Sequence, residues 1–219
     1  MEIYHGSKQI IEKPKVHGSF LHNDYGPSFY LTVELESAKS WACKNEIIGI
    51  VNCYSVDDKK YKNLKILDLT DKNKYSVLNW LAILMHFRKL DSRFIINNEM
   101  GLKWLEKYYI DVNNFDVVIG YRADDSYFRF PISFISNDLS FEDLEGIYLS
   151  GNLGIQYAFM SEKAIQLLKF KKIINCETTF LNHYFDIVSR ATSKFNEILA
   201  LPKDPNKTYI LDLMRRDNE

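Results

Sequence analysis

Three short stretches of this 219-residue chain carry side chains that can do chemistry. "YHGS" (Tyr4 to Ser7) places His5 at the end of a strand with Gly6 immediately behind it. A histidine offers a donor or an acceptor at either ring nitrogen, and a glycine lets a ligand come close to the backbone. "GYRADDSYF" (Gly120 to Phe128) follows an apolar run and gathers Arg122, Asp124 and Asp125. A planar guanidinium suits a pyrophosphate, although a surface ion pair accounts for Arg122 equally well. The adjacent carboxylates would suit a metal, but no third ligand is evident. "NDYGPSFYLT" (Asn23 to Thr32) runs a Gly-Pro turn into a strand and delivers neighbouring aromatics, Phe29 and Tyr30, to opposite faces. One of the pair belongs to a core, which leaves the other for a cleft, a second layer or solvent.

The remaining chemistry-bearing residues point nowhere in particular. His17, His22, His86 and His183 lack metal-type spacing and read as structural or surface residues. Cys43, Cys53 and Cys176 are odd in number and far apart, as expected of buried free thiols in a reducing compartment.

The elements that must position these residues alternate short strands with helices. Strands are expected at Ile3–His5, Phe29–Thr32, Ile47–Val56, Leu64–Leu69, Phe115–Tyr121, Gly154–Met160 and Lys172–Cys176, with a polar turn over "DDKKYKN". Helices are expected after Leu35, from Tyr75 to Leu90, after Ser140, after Ser161, and from Phe180 to Leu201. The last is amphipathic, with Leu181, Phe185, Val188 and Phe195 on one face and Asp186, Arg190 and Lys194 on the other. No Gly-rich phosphate loop follows a strand, which argues against P-loop and Rossmann folds. The expected class is α+β.

Lys plus Arg (28) nearly cancels Asp plus Glu (29), so no overall field draws the chain to nucleic acid or anionic membrane. "VLNWLAILMHF" is too short to span a bilayer and reads as a buried helix. The first residues lack a basic segment followed by an apolar one, so a cytoplasmic location is expected.

Taken in order, "YHGS", "YGPSFYLT", "ESAKSWA" and "IQYAFM" resemble the ADP-ribosyltransferase superfamily, in particular its histidine-tyrosine branch with diphtheria toxin and the poly(ADP-ribose) polymerases. More narrowly, they resemble a small uncharacterised bacterial family of that superfamily. Each motif is weak alone, and the resemblance runs from about Met1 to Phe170. It implies two small, mostly antiparallel sheets around an NAD cleft in a domain of residues 1–175, with a helical extension at 176–219.

The resemblance also implies roles. His5 would bond a ribose hydroxyl, Gly6 would hold the nicotinamide amide through its backbone, and Ser7 completes that motif. Tyr30 would line the nicotinamide pocket, with Trp41 on its far side. For Trp41, packing of its own helix is an equal alternative. Arg122 would meet the pyrophosphate, and Asp124 and Asp125 would cap a helix or contact the acceptor.

Two positions depart from the family's pattern. Ala38 stands where the polymerases carry a serine for the nicotinamide amide. Gln156 stands where active members carry a glutamate, so it can hydrogen-bond a hydroxyl but brings no charge; Glu162 is a candidate to compensate. The expectation is mono-ADP-ribosyl transfer from NAD to a protein or nucleic-acid acceptor, without metal. An intracellular toxin of a toxin–antitoxin or phage-defence system, with a neutralising antitoxin as partner, is the setting the resemblance suggests. An NAD glycohydrolase and a weakly catalytic NAD- or ADP-ribose-binding module are the rivals.

Overall fold

Strand alternation and pairing divide the chain into two sheets. The computed structural model describes residues 1–16, 22–44, 47–123, 127–149 and 154–217. Within them, β1 (Glu2–Ser7), β3 (Ile50–Ser55) and β7 (Lys169–Asn175) form an antiparallel sheet in that order. The second sheet has the order β2 (Phe29–Leu31), β6 (Ile155–Phe159), β5 (Val117–Tyr121), β4 (Ile66–Asp68). It is antiparallel except for its β4–β5 pair. The expected α+β class with two small, mostly antiparallel sheets is therefore the one adopted.

The period of two along each strand decides what the sheet faces bury. Tyr30, Ala158, Val118 and Leu67 form one row across the second sheet and face the larger core. Phe29, Phe159 and Val117 point the other way into a smaller core shared with Ile3 and Tyr54 of the first sheet.

The larger core is organised by α3 (Val77–Phe87), in which Trp80, Leu81, Ile83 and Leu84 are wholly buried. A helix that is apolar around its circumference has to sit inside the molecule. Ser76 starts it by accepting the Leu78 N–H, while the Asn79 side chain accepts the Ser76 N–H. Several helices pack around it, of which α4 (Ser92–Asn97), α5 (Glu99–Leu105) and α6 (Arg129–Ile135) are absent from the expected elements. So is α2 (Asp58–Tyr61), which replaces the expected polar turn because the Asp57 carboxylate accepts the N–H groups of Lys59 and Lys60. The helix after Ser140, α7 (Phe141–Leu149), starts as expected: the Asp143 N–H donates to Ser140 Oγ, which donates to the Asp143 carboxylate. Ser161 likewise caps α8 (Glu162–Ile165), which is a single turn.

The chain beyond residue 176 is woven into the same core. The helix α9 (Phe180–Ala200) packs through Ile187, Ala191, Phe195 and Ile198, whereas Phe185, expected on its apolar face, is 46% exposed. The final helix, α10 (Ile210–Arg216), buries Ile210 in the larger core, and Lys207 just before it bonds the Asp143 carboxylate at 2.8 Å. The helices of the stretch expected as a helical extension at 176–219 thus pack on the body of the protein. Among the described residues, no helix is long and apolar enough to cross a membrane.

Candidate functional site

The two sheets touch at one bridge and then part. Tyr4 and Thr32 exchange both backbone hydrogen bonds, 2.8 and 2.9 Å long. An antiparallel register running on from that pair sets Gly6 opposite Tyr30, since 4 + 32 = 6 + 30. Residues two apart turn their N–H and C=O to the same side of a strand. The polar backbone groups of Gly6 and Tyr30 therefore face each other across the opening between β1 and β2.

His5 wedges that opening apart. Its ring stacks on Phe29 at 4.5 Å, and its Nδ1 lies 2.7 Å from the Tyr30 carbonyl oxygen. A carbonyl only accepts, so Nδ1 carries the proton and Nε2 is left as an acceptor. Burial and then the Arg122 charge hold the imidazole below its ordinary pKa, against the pull of the Tyr30 carbonyl, so the neutral ring is favoured.

Gly6 has a second, purely steric reason to be glycine. The helix α1 (Leu35–Ala42) crosses so close to β1 that a Cβ on Gly6 would sit 2.2 Å from the Ala38 carbonyl oxygen. Ala38, at the position where the polymerases carry serine, is itself buried in this contact. Ser7 is spent locally, accepting the Gln9 N–H.

Tyr30 holds its own turn. Its hydroxyl accepts the Tyr25 N–H at 3.0 Å and donates to the Gly26 carbonyl at 2.7 Å. Gly26 has φ of +78°, a conformation that costs other residues but not glycine. Phe29 is buried as expected, and Tyr30 is only partly so, with Tyr25 stacked at 6.5 Å. With the hydroxyl committed, the ring face is what Tyr30 can offer a ligand. Burial raises the phenol's pKa, so it stays neutral.

Gln156 lies in the same row as Gly120 and on the same face as Tyr30, and it is 5% exposed. Its Nε2 donates to Asp24 Oδ2 at 2.7 Å and to the Tyr121 carbonyl at 3.3 Å. Both partners are acceptors, so the amide nitrogen must face them and the oxygen is the group left for a substrate. Glu162 is placed apart from Gln156: β6 carries it past the opposite end of the strand at about 3.3 Å per residue, where it opens α8 in solvent.

Trp41 and Arg122 do come together. The guanidinium lies 4.3 Å from the indole centroid, and Lys44 Nζ lies 4.5 Å from it. An indole already covered by cations is a poor second wall for a pyridinium ring, which is itself positive. The structure thus places Trp41 in a stack with Arg122 and Lys44, and the expected sandwich of nicotinamide between Tyr30 and Trp41 would have to displace these cations. Asp124, Asp125 and His17 lie outside the described residues.

The other histidines are accounted for. His22 Nδ1 meets the Phe87 carbonyl, His86 stacks on Tyr109, and His183 Nδ1 meets Ser40 Oγ. Among the described residues, no group of three His, Cys, Asp or Glu side chains could hold a metal ion. All three cysteines are free and buried, as expected, and Cys43 and Cys176 share one small cluster. Burial, with Cys43 alongside, pushes the Cys176 thiol up to about 12.

Asp24, Arg88 and Tyr25 are the site residues that sequence reasoning missed. Asp24 reads as a turn-former beside Tyr25-Gly26, and a buried acid leaves no periodic signal. Its one trace is its fixed place before the aromatic pair.

Fold and opening together define an α+β protein with a split between two small sheets, furnished with a neutral histidine, an aromatic ring, an amide and a guanidinium. Residues 1–170 match the family described as protein of unknown function DUF3990, and the chain belongs to it. No curated protein and no solved structure matches the chain.

Proposed function

We propose that this protein is a mono-ADP-ribosyltransferase that moves ADP-ribose from NAD to a macromolecular acceptor. The observation that carries the reading is the Tyr4–Thr32 bridge between β1 and β2, whose register sets Gly6 opposite Tyr30, with His5 Nδ1 on the Tyr30 carbonyl beside it. A primary carboxamide needs one acceptor and one donor side by side, and the N–H and C=O of Gly6 supply that pair. The Tyr30 ring offers a flat face for nicotinamide, worth on the order of 1 kcal/mol beyond area burial.

Breaking the nicotinamide–ribose bond builds positive charge on the sugar, so the site needs acceptors and no added cations there. His5, neutral and presenting Nε2, fits a ribose hydroxyl. Gln156, with its nitrogen held by Asp24 and Tyr121, offers its oxygen to another. Arg122, set on Trp41, suits the pyrophosphate. A cytoplasmic toxin of a toxin–antitoxin or phage-defence system, neutralised by a partner protein, is the setting that fits such an activity.

The amide at Gln156 favours a second reading. A site without a glutamate activates an acceptor poorly, so water could replace the macromolecule, or NAD could be bound without turnover. Incubating the protein with NAD labelled in its adenylate half and a cell extract separates these. Label on protein or nucleic acid is the expected result. Free ADP-ribose alone would mean hydrolysis, reversible binding alone would mean a sensor, and absence of binding would overturn the reading.

A further inference from the structure

We propose that Asp24 is a positioning residue that returns to this site the negative charge Gln156 lacks, an inference that rests on the function proposed above. Asp24 is 7% exposed, in the turn that leads to β2. Donors from three separate parts of the chain meet its carboxylate. Oδ2 accepts Gln156 Nε2 at 2.7 Å and the Ala123 N–H at 2.9 Å, and Oδ1 lies 3.6 Å from Arg88 Nη1. Arg88 is itself held over the Phe128 ring at 4.8 Å.

Burying a carboxylate is costly, and replacing a buried charged network by apolar packing is often neutral or favourable. A fold that needed only packing here would gain nothing from an acid ringed by three donors. The bond to Gln156 gives the acid a chemical use. A carboxylate bonded to an amide N–H draws positive character to the nitrogen and leaves the amide oxygen a stronger acceptor, an effect enlarged where water is excluded. Asp24 also fixes which end of the amide is presented, because only the nitrogen can face it. The Asp24–Gln156 pair therefore presents an acceptor oxygen with a carboxylate, itself paired with Arg88, one hydrogen bond behind it. The carboxylate a glutamate would carry is thereby divided between a turn residue, Asp24, and a strand residue, Gln156.

The division makes a reciprocal test possible. Asp24→Asn sets amide against amide, Gln156→Glu sets carboxylate against carboxylate, and the double variant restores a carboxylate–amide bond with the charge moved to residue 156. NAD cleavage is followed by release of nicotinamide, with circular dichroism and thermal melts run alongside. The expected result is a folded Asp24→Asn whose kcat falls by about 100-fold or more with KM changed little, the scale of losing one preorganised charge-stabilising group. Gln156→Glu alone should also lose activity, and the double variant should recover kcat to within about 10-fold of wild type. A merely structural pair would restore melting temperature in the double variant without restoring kcat.

Asp24→Asn that turns over at the wild-type rate overturns the inference, as does a stable double variant no faster than the singles. If Asp24→Asn does not fold, the double variant carries the test alone, and its failure to fold too would assign the pair to the core and overturn the inference. Wild-type protein that neither binds nor cleaves NAD sinks the proposed function and this inference with it. Wild-type cleavage with an unaffected Asp24→Asn sinks only the inference.

Discussion

Gly6 and Ala38 are in contact so close that a methyl group on the first would lie 2.2 Å from the carbonyl oxygen of the second and 2.8 Å from the Ala42 nitrogen. Both obstructing atoms belong to the backbone of α1 and cannot rotate aside. Gly6→Ala should therefore lower stability by about 1–3 kcal/mol, read from the denaturant midpoint of the ligand-free protein. An unchanged midpoint would mean that α1 slides without cost, and would return the glycine wholly to ligand binding.

Tyr30 separates ring from hydroxyl. Tyr30→Phe loses the acceptor for Tyr25 N–H and the donor to Gly26 C=O, and should cost about 1–3 kcal/mol of stability. It should keep NAD affinity within about threefold, because the face that stacks remains. Tyr30→Ala should lose both. Calorimetry showing equal NAD affinity in all three proteins would remove Tyr30 from the site.

His5 sets a direction for the pH dependence. Burial, then Arg122, lowers its folded pKa below the ordinary value of about 6.5. Below that pH the unfolded chain takes up a proton that the folded one resists, so this contribution is complete above pH 6.5 and is lost as pH falls through the folded pKa. Asp24, whose pKa burial raises, works in the opposite sense on acidification. The difference between wild type and His5→Gln isolates the histidine. Wild type should lose its advantage as pH falls below about 6.5, and a difference that stays constant on acidification would refute the assignment.

Arg122 should matter to phosphate and not to nicotinamide. Arg122→Gln should weaken binding of NAD by about 10-fold or more while leaving nicotinamide riboside, which has no phosphate, within about twofold. Equal losses for the two ligands would place Arg122 elsewhere.

Ile210 tests whether the last helix belongs to the core. Ile210→Ala should cost about 2–5 kcal/mol, whereas Leu211→Ala, at a 41% exposed neighbour, should stay within about 0.5 kcal/mol. Truncation after Cys176 should give an aggregated or unfolded product, read by gel filtration and circular dichroism, and a soluble folded product would take α9 and α10 out of the core.

How far the sequence could be read depended on whether a residue's partners were near or far along the chain. Strand cores such as Val117–Tyr121, and caps such as Ser140 and Ser161, carry their signal within four residues and were legible. The helices α4, α5, α6 and α10 were not: each is only six or seven residues long, too short for a helical period to show, although Asp91 caps α4 and Asp212 closes the first turn of α10. Phe185 was misassigned for the same reason: both faces of α9 carry apolar residues, and the choice between them is made by α6 and α7. In the candidate site, His5, Gly6 and Tyr30 were singled out through the resemblance of two short motifs, and the structure sets those motifs on neighbouring strands. The bond between Asp24 and Gln156 spans 132 positions and joins two polar residues, so neither hydrophobic period nor local spacing could announce it.

The burial of Ile210 also bears on how the protein is made. Both sheets are complete once residue 175 has left the ribosome, yet the core beneath Tyr30 and Gln156 still lacks Ala191 and Ile210. Synthesis from the N-terminus therefore delivers the parts of the opening first and the support under them last. A nascent chain paused short of residue 210 would display His5, Tyr30 and Gln156 without all of the packing beneath them, so that the order of these side chains is a property of the full-length polypeptide and not of its translation intermediates.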